Sequence, residues 1–262
     1  MESRTARHPY ARIASDLAGT PFANVRFVEE TESTNADAAA RLGDRSDLGS
    51  SIVADHQTHG RGRRGRAWVA PPGTALLVTT ILPRAVAATA LWAIPFWTAL
   101  AVHRALLRAR IPTIVRWPND LLVGTDAKLA GILCVSRVTG DSAWVACGVG
   151  INVRRPPTEA VPIEPPPAYC DDIASIDRAE LLCAVLREYA ASLDLLDAPA
   201  RVARAWEAAA GIPGARYRIL NDGAAAPFGG TALRLADGGA LIVAREDGRE
   251  ETVSLADARA LR

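Results

Sequence analysis

The apolar positions of this chain fall mostly into short runs broken by glycine, proline and acidic turns, and a few longer stretches carry helical spacing. Val25-Arg26-Phe27-Val28 predicts a strand. Thr31-Glu32-Ser33-Thr34-Asn35 then offers capping side chains ahead of a helical run from Ala36 to Leu42. Ser51–Ala54 and Ala75–Leu82 predict two more strands, and Arg66–Val69 a short one before the Pro71-Pro72-Gly73 turn. From Ala85 to His103 no residue is charged for 19 positions, a length that would span a bilayer. Seven alanines, polar Thr89 and Thr98 and a central Pro95 make it instead a buried helix with a bend at Pro95.

Ile114-Val115-Arg116-Trp117 predicts a strand ending at Pro118-Asn119-Asp120. A hairpin follows: Leu121–Val123, a Gly124–Ala127 turn, then Lys128–Val135. Ala143–Val153 supplies a third strand, so Asn119, Asp120, Lys128 and Asn152 meet on one region of a partly antiparallel sheet. Arg155–Pro167 holds six prolines and reads as a stiff surface loop. Ala179–Leu195 and Val202–Ala210 have helical spacing. Beyond Gly211-Ile212-Pro213-Gly214, Arg216–Leu220, Thr231–Leu235, Leu241–Ala244 and Glu251–Val253 are short strands between Asp/Gly turns, the pattern of a small barrel. The fold class is α+β, a mixed, largely antiparallel sheet with helices followed by a small β-barrel. Its expected divisions are an N-terminal extension (1–24), a main domain (25–210) and the barrel (211–262).

Composition narrows the chemistry. The 262 residues carry a net charge of +1, so no global field recruits nucleic acid. The charge is uneven, however: nine arginines and no acid lie between His56 and Asn119, which steers an anion to one region. Cys134, Cys147, Cys170 and Cys183 are dispersed, without a CxxC pair, and fit small buried side chains in a reducing cytoplasm. Met1–Asn24 has no apolar secretory core and is too short for a helix-turn-helix. Lys128 is the only lysine among 30 basic residues, which singles out a position where a compact ammonium is needed.

The segment His56-Gln57-Thr58-His59-Gly60-Arg61-Gly62-Arg63-Arg64-Gly65-Arg66 concentrates four arginines and three glycines. Four guanidiniums on a flexible loop repel one another, and an arriving phosphate would order them. Gly60, Gly62 and Gly65 spell GxGxxG, but neither the helix nor the downstream acid of a dinucleotide site follows, and Arg66-Ala67 replaces the lysine and hydroxyl of a P-loop. A solvated basic loop or a nucleic-acid contact is the plainer alternative. The loop has no interleaved aromatics; Trp68 lies just beyond it. His56 and His59 have the spacing of metal ligands with only Asp55 as a neighbouring carboxylate.

Ser33-Thr34-Asn35, the Gly60–Gly65 loop, Trp117-Pro118-Asn119-Asp120, Lys128-Leu129-Ala130-Gly131-Ile132-Leu133 and Gly148-Val149-Gly150-Ile151-Asn152 together resemble bacterial biotin protein ligases in order and approximate spacing. The resemblance covers Val25–Val153 strongly and the C-terminal strands weakly. It implies a core akin to class II aminoacyl-tRNA synthetases and an SH3-like barrel. It also implies two reactions, formation of biotinyl-5′-AMP from biotin and ATP with Mg²⁺, then transfer of biotin to a lysine of a carboxylase carrier domain. By the resemblance, biotin meets Ser33, Thr34, Asn35, Gln57, Arg61, Gly62, Arg63, Lys128 and Gly131. ATP and the adenylate meet Arg61, Arg63, Arg66, Trp68, Asn119, Lys128 and Asn152. Lys128, Asp120 and Arg63 are the expected catalytic set. Three roles fit Asp120: orienting or deprotonating the incoming lysine, binding Mg²⁺, or a structural cap. The implied protein is the cytoplasmic form without the repressors' DNA-binding domain, a monomer or weak homodimer that binds neither specific DNA nor membrane.

The sequence departs from the family at Cys134-Val135-Ser136, where an acid is usual, and at Ala168-Tyr169-Cys170-Asp171-Asp172, where a serine-containing helix start is usual. The rival readings are a lipoate or octanoate ligase, whose arginine pair followed by three glycines is missing here, and a nucleic-acid module using the arginine loop, which would bind without ATP and weaken steeply with salt.

Overall fold

The computed structural model describes residues 10, 12–157, 165–221, 226–255 and 258–261. Its helices are α1 (Ile13–Asp16), α2 (Thr34–Arg41), α3 (Ile94–Arg108), α4 (Arg178–Ala191) and α5 (Pro199–Ala209). The strands of the first sheet are β1 (Val25–Thr31), β2 (Ser51–Gln57), β3 (Ala75–Ile81), β4 (Val86–Ala87), β5 (Ile114–Arg116), β6 (Asp120–Val123), β7 (Ala127–Thr139) and β8 (Ser142–Asn152). Their order is β1-β2-β3-β8-β7-β6-β5, with β4 added on β8. Only β1 and β2 pair in parallel, because the chain returns between them through the α2 crossover; the other pairs are antiparallel.

Two-residue alternation gives this sheet two unlike faces. On one, Leu76 and Val78 of β3, Ile132 of β7 and Cys147 and Ile151 of β8 pack with α3, α4 and α5 in the main core. There Trp97 stacks on Tyr189 at 4.6 Å between ring centroids. The other face is covered at one end by Ala38 and Leu42 of α2, packed on Ile52, Ile81 and Ala146. The rest of that face carries the glycines Gly131, Gly148 and Gly150. Tyr10, Ile13, Leu17 and Phe22 are buried in the main core as well; the helical spacing of the first three goes unremarked in a segment dominated by polar residues.

Two expectations need correction. Pro95 does not bend a helix: it sits in the first turn of α3, after a 3₁₀ segment Ala88–Ala93, where its missing N–H costs no intrahelical bond. The buried-helix reading of the apolar stretch itself stands, with 67% of the most apolar window of Ala88–Arg108 buried. Arg66–Val69 forms no strand; a single bridge between Arg61 and Ala67 closes the arginine loop instead.

The second sheet holds β9 (Arg216–Asn221), β10 (Phe228–Leu235), β11 (Leu241–Arg245), β12 (Glu250–Val253) and β13 (Ala258–Leu261), in the antiparallel order β12-β11-β10-β9-β13. Four of these strands are legible in the sequence, and β13 is added to them. The α+β class, with a mixed sheet followed by a small antiparallel β unit, stands. The second sheet docks on the first around Trp117, whose backbone N–H donates to Tyr217 Oη and whose indole N–H donates to the Gly239 carbonyl, both at 3.2 Å. Arg116 lies over the Tyr217 ring at 3.6 Å. Gly239 has φ of 80°, and a Cβ there would come within 2.8 Å of Phe96, so this contact requires glycine.

Candidate active site

The open face of the first sheet carries a cleft of about 360 Å³, within the usual range for small-molecule sites. Its polar end is built by the first turn of α2. Ser33, Thr34 and Asn35 are all buried. The Thr34 backbone N–H and hydroxyl both donate to Gln57 Oε1, at 2.8 and 3.0 Å. This fixes the Gln57 amide with its Nε2 turned toward Gly60 and the arginine loop. Asn35 Nδ2 donates to the Leu133 carbonyl at 2.9 Å, and its Oδ1 lies 2.8 Å from Thr79 Oγ1. Ser33 occupies the N-cap position, yet its side chain makes no capping hydrogen bond. The capping role that Ser, Thr and Asn usually play is therefore not what these residues do here.

Alternate residues of β8 supply the floor. A Cβ at Gly148 would meet Asn35 Oδ1 at 2.2 Å, and one at Gly150 would meet the Trp68 ring at 2.7 Å. Gly131, which pairs with Gly150 across β7 and β8, is less tight, with a Cβ there 3.0 Å from Trp68 and 3.3 Å from Lys128. Trp68 thus lies flat on a surface that only glycines leave bare. Its indole N–H is buried without a hydrogen-bond partner among the described residues, a desolvated donor of the kind that costs about 1–3 kcal/mol.

Lys128 enters the cleft through a defect in the sheet. The pairing runs Asp120↔Gly131 and Leu121↔Ala130, then skips to Leu122↔Lys128, so Leu129 is an extra residue, a β-bulge. Leu129 and its neighbour Ala130 both point into the core. Lys128 consequently shares a face with Gly131, which strict alternation would forbid over three residues. Its Nζ sits 2.7 Å from Asp120 Oδ1 and 5.5 Å above the Trp68 ring. Asn119 clips β6 to β7, donating to the Ile132 carbonyl at 2.6 Å. The Asn152 amide donates to the Lys128 carbonyl at 3.2 Å. The proline-rich loop contributes a wall: Lys128 N–H donates to the Pro166 carbonyl, and Ala168 N–H to the Lys128 carbonyl.

Arg61, Gly62, Arg63 and Arg66 form the rim. The loop is closed by Gly62 N–H to Arg66 O (2.7 Å) and Trp68 N–H to Gly60 O (2.9 Å), and Arg64 adopts a left-handed φ of 59°. It is therefore a tight hairpin. Arg63 donates to the Leu255 carbonyl, just beyond β12. Burial, reinforced by Arg64 and Arg66 and opposed by Asp120, lowers the Arg63 pKa, so an anion beside it would be strongly favoured. Every residue expected from the sequence to line the site thus borders one cleft. Thr79, Leu77, Pro165, Pro167 and Tyr169 border it too and were not foreseen; the threonines interrupting the apolar β3 run were the available signal. His56 pairs with Glu30 at 3.0 Å and His59 Nδ1 meets Thr58 Oγ1. Among the described residues no group of three or more His, Cys, Asp or Glu side chains is arranged for a metal.

The fold is shared with solved biotin protein ligases. The enzyme from Aquifex aeolicus, solved in complex with biotin and ATP, matches with a TM-score of 0.71 at 24% identity over 91% of this chain and 99% of that one. Residues 28–152 match the Biotin/lipoate A/B protein ligase family. A biotin–[acetyl-CoA-carboxylase] ligase of Mycobacterium tuberculosis is 33% identical over 187 residues, 67% of this chain and 66% of the relative. The corresponding ligase of Paracoccus denitrificans is 36% identical over 143 residues, 53% of this chain and 58% of the relative. Residues 28–152 are thus a domain of the Biotin/lipoate A/B protein ligase family, and the chain spans less than two thirds of the length of these curated relatives.

Proposed function

We propose that this chain is an ATP-dependent biotin protein ligase, forming biotinyl-5′-AMP and then passing biotin to a lysine of a carboxylase's biotin carboxyl carrier domain. The observation that carries the reading is the meeting, in one cleft, of a polar end with oriented donors, an apolar glycine-floored middle and an ammonium beneath an arginine rim. Gln57 Nε2 and the Ser33 hydroxyl suit the urea oxygen of biotin. The floor of Gly131 and Gly150 suits its aliphatic chain. Lys128 suits the point where the biotin carboxylate must approach the α-phosphate, two anions whose repulsion a cation offsets.

In the first step the carboxylate oxygen attacks the α-phosphorus and pyrophosphate leaves. Arg61, Arg63 and Arg66 neutralise phosphate charge as it develops, and Trp68 and Asn152 border the space for the adenine. In the second step the carrier lysine amine attacks the acyl carbon, AMP leaves, and Asp120 accepts or directs the amine proton. The cleft fits Mg²⁺ only as an ion arriving on the triphosphate: Asp120 offers one carboxylate, already 2.7 Å from Lys128, whereas Mg²⁺ typically keeps waters and substrate phosphates as ligands. When bound there it would neutralise phosphate charge.

We further propose that residues 25–210 form the catalytic unit and 211–262 a smaller β unit closing over the loop, and that the chain meets its carrier in the cytoplasm as a monomer or weak homodimer. Four free cysteines fit that compartment. The test is incubation with biotin, ATP, Mg²⁺ and a carrier domain, read as a mass gain on the carrier. No gain, with no pyrophosphate released, would refute the assignment.

A further inference from the structure

We infer that Thr79 is a positioning residue for the urea-binding end of the cleft, acting through Thr34 and Asn35; this rests on the biotin reading above. Thr79 lies in β3, whose seven residues are all buried, and is itself 0% exposed. Packing alone would be served there by valine, the same shape without the polar atom. A buried hydroxyl is tolerated only where it is hydrogen-bonded, and this one has two partners: its Oγ1 lies 2.8 Å from both Thr34 Oγ1 and Asn35 Oδ1.

Proton accounting shows what it controls. Gln57 Oε1 can only accept, so the Thr34 hydroxyl proton goes to Gln57 and its lone pairs face Thr79. The Asn35 Nδ2 donates to the Leu133 carbonyl, so its Oδ1 is left facing Thr79 and the bare backbone of Gly148, the residue paired with Thr79 across β3 and β8. The single Thr79 proton therefore serves the lower side of the first turn of α2, while Gln57 and Leu133 hold its flanks. With Thr34 and Asn35 committed to protein partners, Ser33 Oγ and Gln57 Nε2 are the polar atoms left for a ligand. Loss of the Thr79 hydroxyl would release the Thr34 rotamer and the Asn35 amide, and with them the spacing of those two ligand-facing atoms.

The experiment measures biotin binding by calorimetry without ATP, the KM for ATP at saturating biotin, and thermal unfolding, for wild type, Thr79→Val and Thr79→Ser. Thr79→Val is expected to weaken biotin binding about tenfold, as loss of one hydrogen bond can, with the ATP KM within about twofold. Thr79→Ser, which keeps the hydroxyl, is expected to restore biotin affinity to within about threefold of wild type. Unchanged biotin affinity in Thr79→Val, or an equal loss toward biotin and ATP, would overturn the inference. If the valine variant does not fold, the serine variant decides: a folded Thr79→Ser with a tenfold loss overturns it. Failure of wild type to bind biotin would instead refute the underlying function.

Discussion

Lys128 shows how much one residue's placement depends on its neighbour. The ammonium reaches the cleft because Leu129 is bulged out of register, and it then stands 3.3 Å from where a Cβ at Gly131 would be. A planar guanidinium is wider and binds as a fork, so it cannot take that point beside Asp120 and Trp68 without displacing one of them. Lys128→Arg is expected to lower pyrophosphate release about a hundredfold or more, the cost of roughly 1 Å from attack geometry, while the melting temperature hardly moves because charge and exposure are kept. Near-normal release by the arginine variant would assign the carboxylate to Arg61 or Arg63. The lysine was legible from composition, since every other basic residue is arginine. The bulge was not, because an inserted residue leaves an apolar run apolar. Thr79 was hidden for the converse reason: its partners lie 44 and 45 positions away, and a threonine in a strand is ordinary.

Among the elements, the arginine loop departs most from its sequence reading. Glycine and repelling charge predict a floppy segment, but cross-loop hydrogen bonds and the Arg61–Ala67 bridge close it. Its glycines differ in purpose: a Cβ at Gly60 would fall 2.3 Å from the Trp68 carbonyl, whereas Gly65 turns the chain at a left-handed φ of 72°. Arg63 is the part of the rim that is both partly buried and held by the Leu255 carbonyl beyond β12. Arg63→Gly is expected to release the biotinyl adenylate roughly ten- to a hundredfold faster, the equivalent of one charge-assisted contact, seen as labelling of bystander lysines. Release no faster than wild type would mean that another side chain retains the intermediate. Helix α3 carries a pH dependence of its own. His103 Nδ1 lies 2.9 Å from Thr113 Oγ1, and burial, with Arg104 adding to it, lowers its pKa. Below the unfolded value of about 6.5 the unfolded chain therefore takes up a proton that the folded one resists. The stability linked to this group is complete above that pH and is lost as pH falls through the depressed folded value. Melting curves at pH 7.5 and 5.5 should show a smaller acid loss for His103→Gln than for wild type; equal losses would exclude His103.

At the scale of the whole molecule, the two sheets were readable separately but their union was not, since it depends on contacts 100 and 122 positions apart. Local apolar patterns report a strand's faces; they carry no signal for which distant carbonyl an indole will meet. Trp117 contributes to that union along with Arg116, which lies over Tyr217, and it directly precedes Pro118, Asn119 and Asp120. It is 1% exposed, and its two donors are satisfied by Tyr217 and Gly239, so the cleft's Asp120 is tied to the second sheet through three covalent links and two hydrogen bonds. Trp117→Phe would leave the Gly239 carbonyl without its donor and leave empty part of the volume the buried indole fills. Such a change is expected to cost about 2–4 kcal/mol by the sum of a lost buried hydrogen bond and a partial cavity. Because the same residue sets the start of β6, the variant should also raise the KM for ATP several-fold with biotin affinity preserved, the Ser33–Gln57 end being built on α2 and β2 instead. Calorimetry of wild type should give one cooperative transition spanning both sheets, shifted down intact in Trp117→Phe. Two separate transitions in wild type would mean that the sheets fold independently, and a lower melting temperature with an unchanged ATP KM would confine Trp117 to folding.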